Sequence, residues 1–297
     1  MNSLQQSLRD LIALSKPGIV IMCLVEASGG LWLAPGTAPL AIWLWTFLGL
    51  SLVVASSNAW NMLWERESDK FMERTRNRPL PSGRMKPATA GLFALVTGVA
   101  SVWLFATQVN ALSAWLALAS MFSYVLVYTP LKRVTPFAAL PGALIGALPP
   151  AMGWVAAGGY LQDPSIHLVA FFFFLWQIPH FWLLLLFYAQ DYQGGGLPSL
   201  LDRFGRAQVL RLTFLWIAAV SAAALLLPLT PLFETPALAY VLAAAGALLV
   251  WRAAALLRSA APAPFRRLCR LRFMEINTFA LLVCVLLVAD ALIVPAR

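Results

Sequence analysis

Residues 40–64, LAIWLWTFLGLSLVVASSNAWNMLW, carry no charge and run straight into Glu65-Arg66-Glu67-Ser68-Asp69-Lys70. A helix needs about 20 consecutive apolar residues to cross the hydrocarbon core of a bilayer, and this run supplies 25. Similar runs lie at 18–34, 88–106, 110–128, 137–157, 165–187, 210–228, 236–257 and 273–294. The pattern predicts an all-α polytopic membrane protein with nine transmembrane helices in one membrane domain over 1–297. Residues 1–16 are polar, with Leu4, Leu8, Leu11 and Ile12 at helical spacing, and are expected to form an interfacial helix feeding the first span. Pro149-Pro150 and Pro179 are expected to interrupt two spans.

Composition agrees. The chain is 61% hydrophobic and 11% charged with mean hydropathy +0.79, whereas a soluble domain carries about 25% charged residues. The net charge of +9 would suit nucleic acid were it not so unevenly placed. Of 21 Lys and Arg, 20 lie in the N-terminal tail or in and beside the loops after even-numbered spans, and only Arg297 falls opposite. The positive-inside rule then puts the N-terminus in the cytoplasm and the C-terminus outside. The basic charge reports topology and anionic lipid, with no nucleic-acid partner. No cleavable signal peptide is expected. Cys23, Cys269 and Cys284 are too scattered for a disulfide framework and read as packing residues.

Cytoplasmic connections at 65–87, 188–209 and 258–272 are long and charged, while those at 35–39, 107–109, 158–164 and 229–235 are short and almost uncharged. Function is therefore expected at the cytoplasmic end. Asn61, Glu65 and Asp69 are spaced i, i+4, i+8, which on one helix stacks three oxygen ligands over about 12 Å. Such hard donors suit Mg²⁺, which shares its shell with water and phosphate. Arg74, Arg76 and Arg78 follow, and guanidinium groups recognise phosphate bidentately. The combination reads either as a site for a diphosphate with its tail in lipid or as a solvated loop of surface ion pairs.

Other residues converge on that end. Tyr128 and Lys132 lie four apart where the fourth span emerges, followed by Arg133. His180 sits about two turns inside the sixth span, where a polar residue usually faces the bundle interior, and Asp191 lies on the rim beyond it. Glu275 and Asn277 are near the same end of the last span. His167 is expected at the outer interface and Asp290 in outer solvent. Glu26 is mid-membrane, protonated or hydrogen-bonded. Gly29-Gly30, Gly142 and Gly146 allow close helix packing.

These residues resemble the UbiA superfamily of intramembrane prenyltransferases, and within it the branch that farnesylates haem. The resemblance rests on Lys16-Pro17-Gly18, the Asn61–Asp69 box with Met72-Glu73-Arg74-Thr75 and Asn77-Arg78, and Tyr128-Thr129-Pro130-Leu131-Lys132-Arg133. Gly146-Ala147-Leu148-Pro149-Pro150 and Pro179-His180 with Asp191-Tyr192 extend it over about residues 11–200. It implies a nine-span bundle around a cavity, with Asn61, Glu65, Asp69 and Asp191 holding Mg²⁺ against farnesyl diphosphate. Arg74, Arg78, Tyr128, Lys132 and Arg133 would bind the diphosphate, and His180 would bind haem B, the acceptor, giving haem O. The family usually has Asp where this chain has Glu65. The resemblance also implies a bacterial inner-membrane location and a possible hand-over to a downstream haem A synthase or a terminal oxidase assembly. A prenyltransferase acting on a quinone precursor and a secondary transporter are the alternatives. The first would normally show more aspartates near 180–192, and the second inverted repeats.

Overall fold

The computed structural model describes residues 3–258 and 265–294. Arg297, the one basic residue expected opposite the others, lies outside the described residues. Ten main helices make up the fold: α1 (Ser3–Ser15), α2 (Pro17–Leu33), α3 (Leu40–Glu65), α4 (Pro87–Leu104), α5 (Ala111–Phe122), α6 (Ala139–Ala156), α7 (Pro164–Phe187), α8 (Arg206–Ala224), α9 (Pro236–Ala253) and α10 (Phe265–Ile293). Two are prolonged by π-helical turns, α4 through Phe105–Val109 and α5 through Ser123–Tyr128. Among the described residues, eight helices are long and apolar enough to span a bilayer. The segment of α1 and α2 passes the same test of length and apolarity only when the two are taken together across a 47° bend, which brings the number to nine if they make one span.

Sequence-level punctuation explains most of the ends. Proline opens α2, α4, α7 and α9, where a missing N–H costs nothing. Asn110 and Asp163 accept from the backbone N–H of Ser113 and Ser165 to cap α5 and α7. Lys16 is the hinge between α1 and α2. It stands in the left-handed region at φ 49°, and the following Pro17 disfavours the right-handed helical conformation that would carry α1 straight into α2.

Pro149-Pro150 and Pro179 do not break their spans, and α6 and α7 continue through them. Within a membrane bundle the freed carbonyls are tolerated where neighbouring helices enclose them, and α6 is buried along most of its length. The last span begins at Phe265, eight residues before the expected 273. Arg266, Arg267, Arg270 and Arg272 depress hydropathy there, but arginine is a good helix former.

The spans form a closed ring in chain order from α2 to α10, with α10 returning to α2. The most extensive contacts across it join α2 with α6 and α7 with α10. Between α2 and α6 the backbones nearly touch. A Cβ on Gly30 would lie 2.0 Å from the Pro150 carbonyl oxygen, and one on Gly153 2.0 Å from that of Ala27. Glycine is obligatory at both, as in other close membrane crossings. Glu26, also on α2, is buried within electrostatic reach of Cys23 and of Cys284 on α10. Asp290 is not solvated as expected. It is fully buried, accepting from the backbone N–H of Glu234 (2.9 Å) and Thr235 (2.7 Å) at the head of α9.

Candidate active site at the charged end of the bundle

The site is organised by the last turn of α3. Asn61 and Glu65 are on that helix and buried, but the helix stops at Glu65. Asp69 is carried instead on a 3₁₀ turn, Ser68–Phe71, so the three ligand candidates do not share one helical face as the spacing implied. The loop folds back on itself to hold Asp69, whose backbone carbonyl accepts from Thr75 Oγ1 at 2.9 Å.

Every polar atom of Asn61 is engaged. Its Nδ2 donates to Glu65 Oε1 at 2.9 Å and to Thr129 Oγ1 at 3.1 Å, while its Oδ1 accepts from Lys16 Nζ at 3.2 Å. Glu65 also pairs with Lys132, and Arg78 Nη1 donates to Asp69 Oδ2 at 2.7 Å. Two buried carboxylates thus each hold a cation supplied from a loop. Burial alone would lower the Lys132 ammonium, yet the pull of Glu65 outweighs it and holds the group above its ordinary value. Lys132 is therefore a full positive charge.

One atom is left over. Asp69 Oδ1 is buried with no hydrogen-bond partner, and an unsatisfied buried oxygen of this kind costs about 1–3 kcal/mol. Asp69 acts electrostatically on Lys16, as do Arg78, Glu65 and Lys132. Among the described residues no group of three or more His, Cys, Asp or Glu is assembled as a metal cage. The donors present are hard oxygens, few in number, which fits Mg²⁺ better than a metal needing an all-protein shell.

The other candidates divide into two groups. Tyr128 adjoins the pair-forming residues: Lys132 Nζ lies 5.5 Å from its ring centroid, and the ring stacks on Tyr124 (5.5 Å) and Phe181 (5.8 Å). Gly142 makes room for it, since a Cβ there would be 2.6 Å from the Tyr128 ring. Asp191 and Arg74 form a rim where two loops meet. Asp191 Oδ1 accepts from the backbone N–H of Glu73 at 3.0 Å, and the Arg74 guanidinium lies 4.9 Å from the Tyr188 ring centroid. Arg133 stands apart, donating to the Trp64 carbonyl at 2.7 Å on an exposed face. His180 is half-buried on α7, with Nδ1 2.9 Å from Asn277 Oδ1 on α10. Glu275, the other residue expected near this end, pairs with Arg252 and Arg272 instead.

Residues 23–291 match the model of the UbiA prenyltransferase family. The chain belongs to this family. Its similar relatives include the protoheme IX farnesyltransferase of Myxococcus xanthus, 46% identical over 217 residues covering 70% of this chain and 74% of that one. Another is the protoheme IX farnesyltransferase of a Synechococcus species, 37% identical over 289 residues covering 95% and 84%. Among solved structures, a digeranylgeranylglyceryl phosphate synthase superposes with a TM-score of 0.78 at 16% identity, covering 96% of this chain and 99% of that one. A UbiA homologue from Archaeoglobus fulgidus bound to DMAPP and Mg²⁺ gives 0.69 at 15% identity over 95% and 98%. Those structural likenesses establish the fold. Membership of UbiA does not favour the secondary-transporter reading.

Within this UbiA chain, sequence reading passed over two residues that the fold brings to the centre. Lys16 was taken only as part of an opening motif, but it reaches Asn61 across 45 positions. Thr129 accepts from Asn61 and donates to the Tyr124 carbonyl at 2.8 Å, tying the fourth span to the box. A lysine before proline at a membrane boundary was the available signal for the first. The second lies inside the Tyr128–Arg133 motif, but nothing local marks its link to Asn61.

Proposed function

We propose that this protein transfers the farnesyl group of farnesyl diphosphate to a vinyl group of protohaem IX (haem B), giving haem O. The observation that carries the reading is the pair of buried ion pairs, Lys132–Glu65 and Arg78–Asp69, beside the uncommitted Asp69 Oδ1. The choice of acceptor is supported by the likeness to relatives named protoheme IX farnesyltransferase.

Asp69, Glu65, Asn61 and Asp191 would hold Mg²⁺, which supplies charge neutralisation of the leaving diphosphate when bound. The protein's own part begins with Lys132 and Arg78, which exchange carboxylate for phosphate oxygens as the diphosphate enters, with Arg74 and Tyr128 assisting from the rim and the wall. Arg133, held on the Trp64 carbonyl, acts from the edge through its charge. The C1–O bond of the allylic diphosphate breaks with its electron pair leaving on diphosphate, and these fixed cations stabilise that charge more than they stabilise the ester. C1 then bonds to the terminal vinyl carbon of haem. The resulting cation on the inner vinyl carbon takes up water and releases a proton, leaving a hydroxyethylfarnesyl group. The enclosing helix bundle keeps water from the farnesyl cation before that point.

The orientation that goes with this reading has the site facing the cytoplasm of a bacterial inner membrane, from the one-sided placement of Lys and Arg. The whole chain acts as one unit, and a haem A synthase or terminal oxidase assembly would be a natural recipient of the product. The test is to supply the purified chain in nanodiscs with Mg²⁺, haem B and isotope-labelled farnesyl diphosphate, and to read products by mass. Haem gaining a farnesyl group and a hydroxyl group is expected. Label entering an aromatic quinone precursor, with haem unreacted, would assign the chain to the other branch.

A further inference from the structure

The charged end of the bundle holds a second ion cluster, at the seam of α9 and α10. Glu275 Oε1 accepts from Arg252 Nε at 2.7 Å and Nη2 at 2.6 Å, and from Arg272 Nη2 at 3.0 Å. Two guanidinium groups thus share one carboxylate oxygen, and one positive charge stays uncompensated. Arg272 is only 6% exposed, so water offsets that excess poorly. Two atoms of the cluster are also buried without a partner, the donor Arg272 Nε and the acceptor Glu275 Oε2, and each unmade bond is destabilising. From residue 200 to residue 275 the chain carries nine arginines against Asp202, Glu234 and Glu275. Neither of the other acids supplies the missing charge. Asp202 accepts from the backbone N–H of Ser199, and Glu234 precedes the opposite end of α9.

The surroundings of the cluster face lipid. Leu248 lies one turn before Arg252 on α9, and Leu271 one turn before Glu275 on α10, with Trp251 and Met274 beside them. All four are exposed apolar side chains on membrane-spanning helices. Tryptophan near the end of a span marks the headgroup level of a bilayer, and Arg252 stands in the last turn of α9. A basic pocket between spans at that level is suited to an anionic lipid headgroup. We propose that Arg252, Arg272 and Glu275 form a binding site for one phospholipid whose headgroup carries a single phosphate anion and a hydroxyl, as phosphatidylglycerol does. Its phosphate would take hydrogen bonds from the two arginines, Arg272 Nε among them, and supply the missing negative charge. Its hydroxyl would donate to Glu275 Oε2, and its acyl chains would lie over Leu248, Leu271 and Met274. Arg252, the most exposed of the three, is the side chain that turns to admit it. The binding is non-covalent and does not depend on which acceptor the enzyme prenylates.

The full chain in nanodiscs of dioleoylphosphatidylcholine, carrying a rising fraction of dioleoylphosphatidylglycerol, tests this. Native mass spectrometry reads the lipid retained and thermal unfolding reads its effect. One phosphatidylglycerol retained per chain and a raised Tm are expected, with millimolar inorganic phosphate giving no rise. Arg252→Gln should weaken retention about 5-fold, the contribution of one basic residue near an anionic surface. Arg267→Gln removes an exposed arginine outside the cluster and should change retention less than about 2-fold, as a screened surface charge does. Glu275→Gln should tighten retention, because it removes the carboxylate that competes for both arginines, a gain that a merely structural ion pair would not give. Binding of a farnesyl thiodiphosphate probe, unchanged in all three variants, reports an intact fold. Equal losses in Arg252→Gln and Arg267→Gln would make the attraction general to the basic surface. Weaker retention in folded Glu275→Gln would make the cluster structural, and a Tm raised by inorganic phosphate alone would make it a site for a free anion. Each of these overturns the proposal, and the two arginine variants decide it where Glu275→Gln fails to fold.

Discussion

Asp69 and Asp290 are both 0% exposed, yet they are buried in opposite ways. Asp290 receives two backbone N–H groups, one on each carboxylate oxygen, and locks the head of α9 to the end of α10. Asp69 gives one oxygen to Arg78 and leaves the other without a partner. A carboxylate with both oxygens satisfied by backbone has nothing to offer a ligand. One that is half-satisfied among cations has an unused acceptor and a partner that can be exchanged. The difference teaches that burial of a charge in this bundle is not itself a sign of function, and that the bookkeeping of its hydrogen bonds is.

The largest expected effect comes from removing the half-satisfied carboxylate. Asp69→Ala should lower turnover by about 10²–10³-fold, the range for losing one preorganised stabilising group, with the protein still inserted and monodisperse. Turnover close to the parent would remove Asp69 from the site. Next is Lys132→Gln, which should reduce turnover by about 10–100-fold while raising KM less, because the charge on diphosphate grows as it departs. That variant also strands Glu65, and breaking a buried pair costs about 3–5 kcal/mol. The double variant Glu65→Gln/Lys132→Gln should therefore regain thermal stability without regaining turnover. A rise in KM alone would make Lys132 a docking residue.

Smaller still is Glu65→Asp. It keeps a carboxylate but pulls the oxygens back by roughly one bond length, about 1.5 Å. Turnover is expected to stay within about 10-fold, the effect of roughly 1.4 kcal/mol. A loss as large as that of Asp69→Ala would show that the glutamate's reach is essential here. At the foot of the series, Asp290→Ala should leave the turnover of folded protein unchanged and destabilise it by about 1–2 kcal/mol, as loss of a helix cap does. A change in KM for farnesyl diphosphate would mean the two ends of the bundle are coupled.

The spans were legible because bilayer thickness imposes a length that few other constraints imitate, and most boundaries fell within a few residues. The errors have local causes. Four arginines hid the first two turns of α10, and three prolines were read as interruptions although enclosed helices accommodate them. At the site, residue types and their end of the bundle were readable from Asn61, Glu65, Lys132 and His180. Their pairings were not. Lys16 with Asn61, Thr129 with Asn61 and Asn277 with His180 join positions 45, 68 and 97 apart, and no periodicity encodes a contact at such separations. Asp290 was misread for the same reason, since its partners lie 55 and 56 residues away.

The most direct test of the account measures equilibrium binding of farnesyl thiodiphosphate, a slowly ionising analogue, with and without Mg²⁺, to the parent and to Asp69→Asn. Asparagine keeps the shape of the side chain and removes the charge that pairs with Arg78 and that, under the proposed function, would also meet the metal–diphosphate. Mg²⁺ is expected to tighten binding at least about 10-fold in the parent, or roughly 1.4 kcal/mol, and Asp69→Asn to abolish this gain. An equal Mg²⁺ response in both proteins would contradict it.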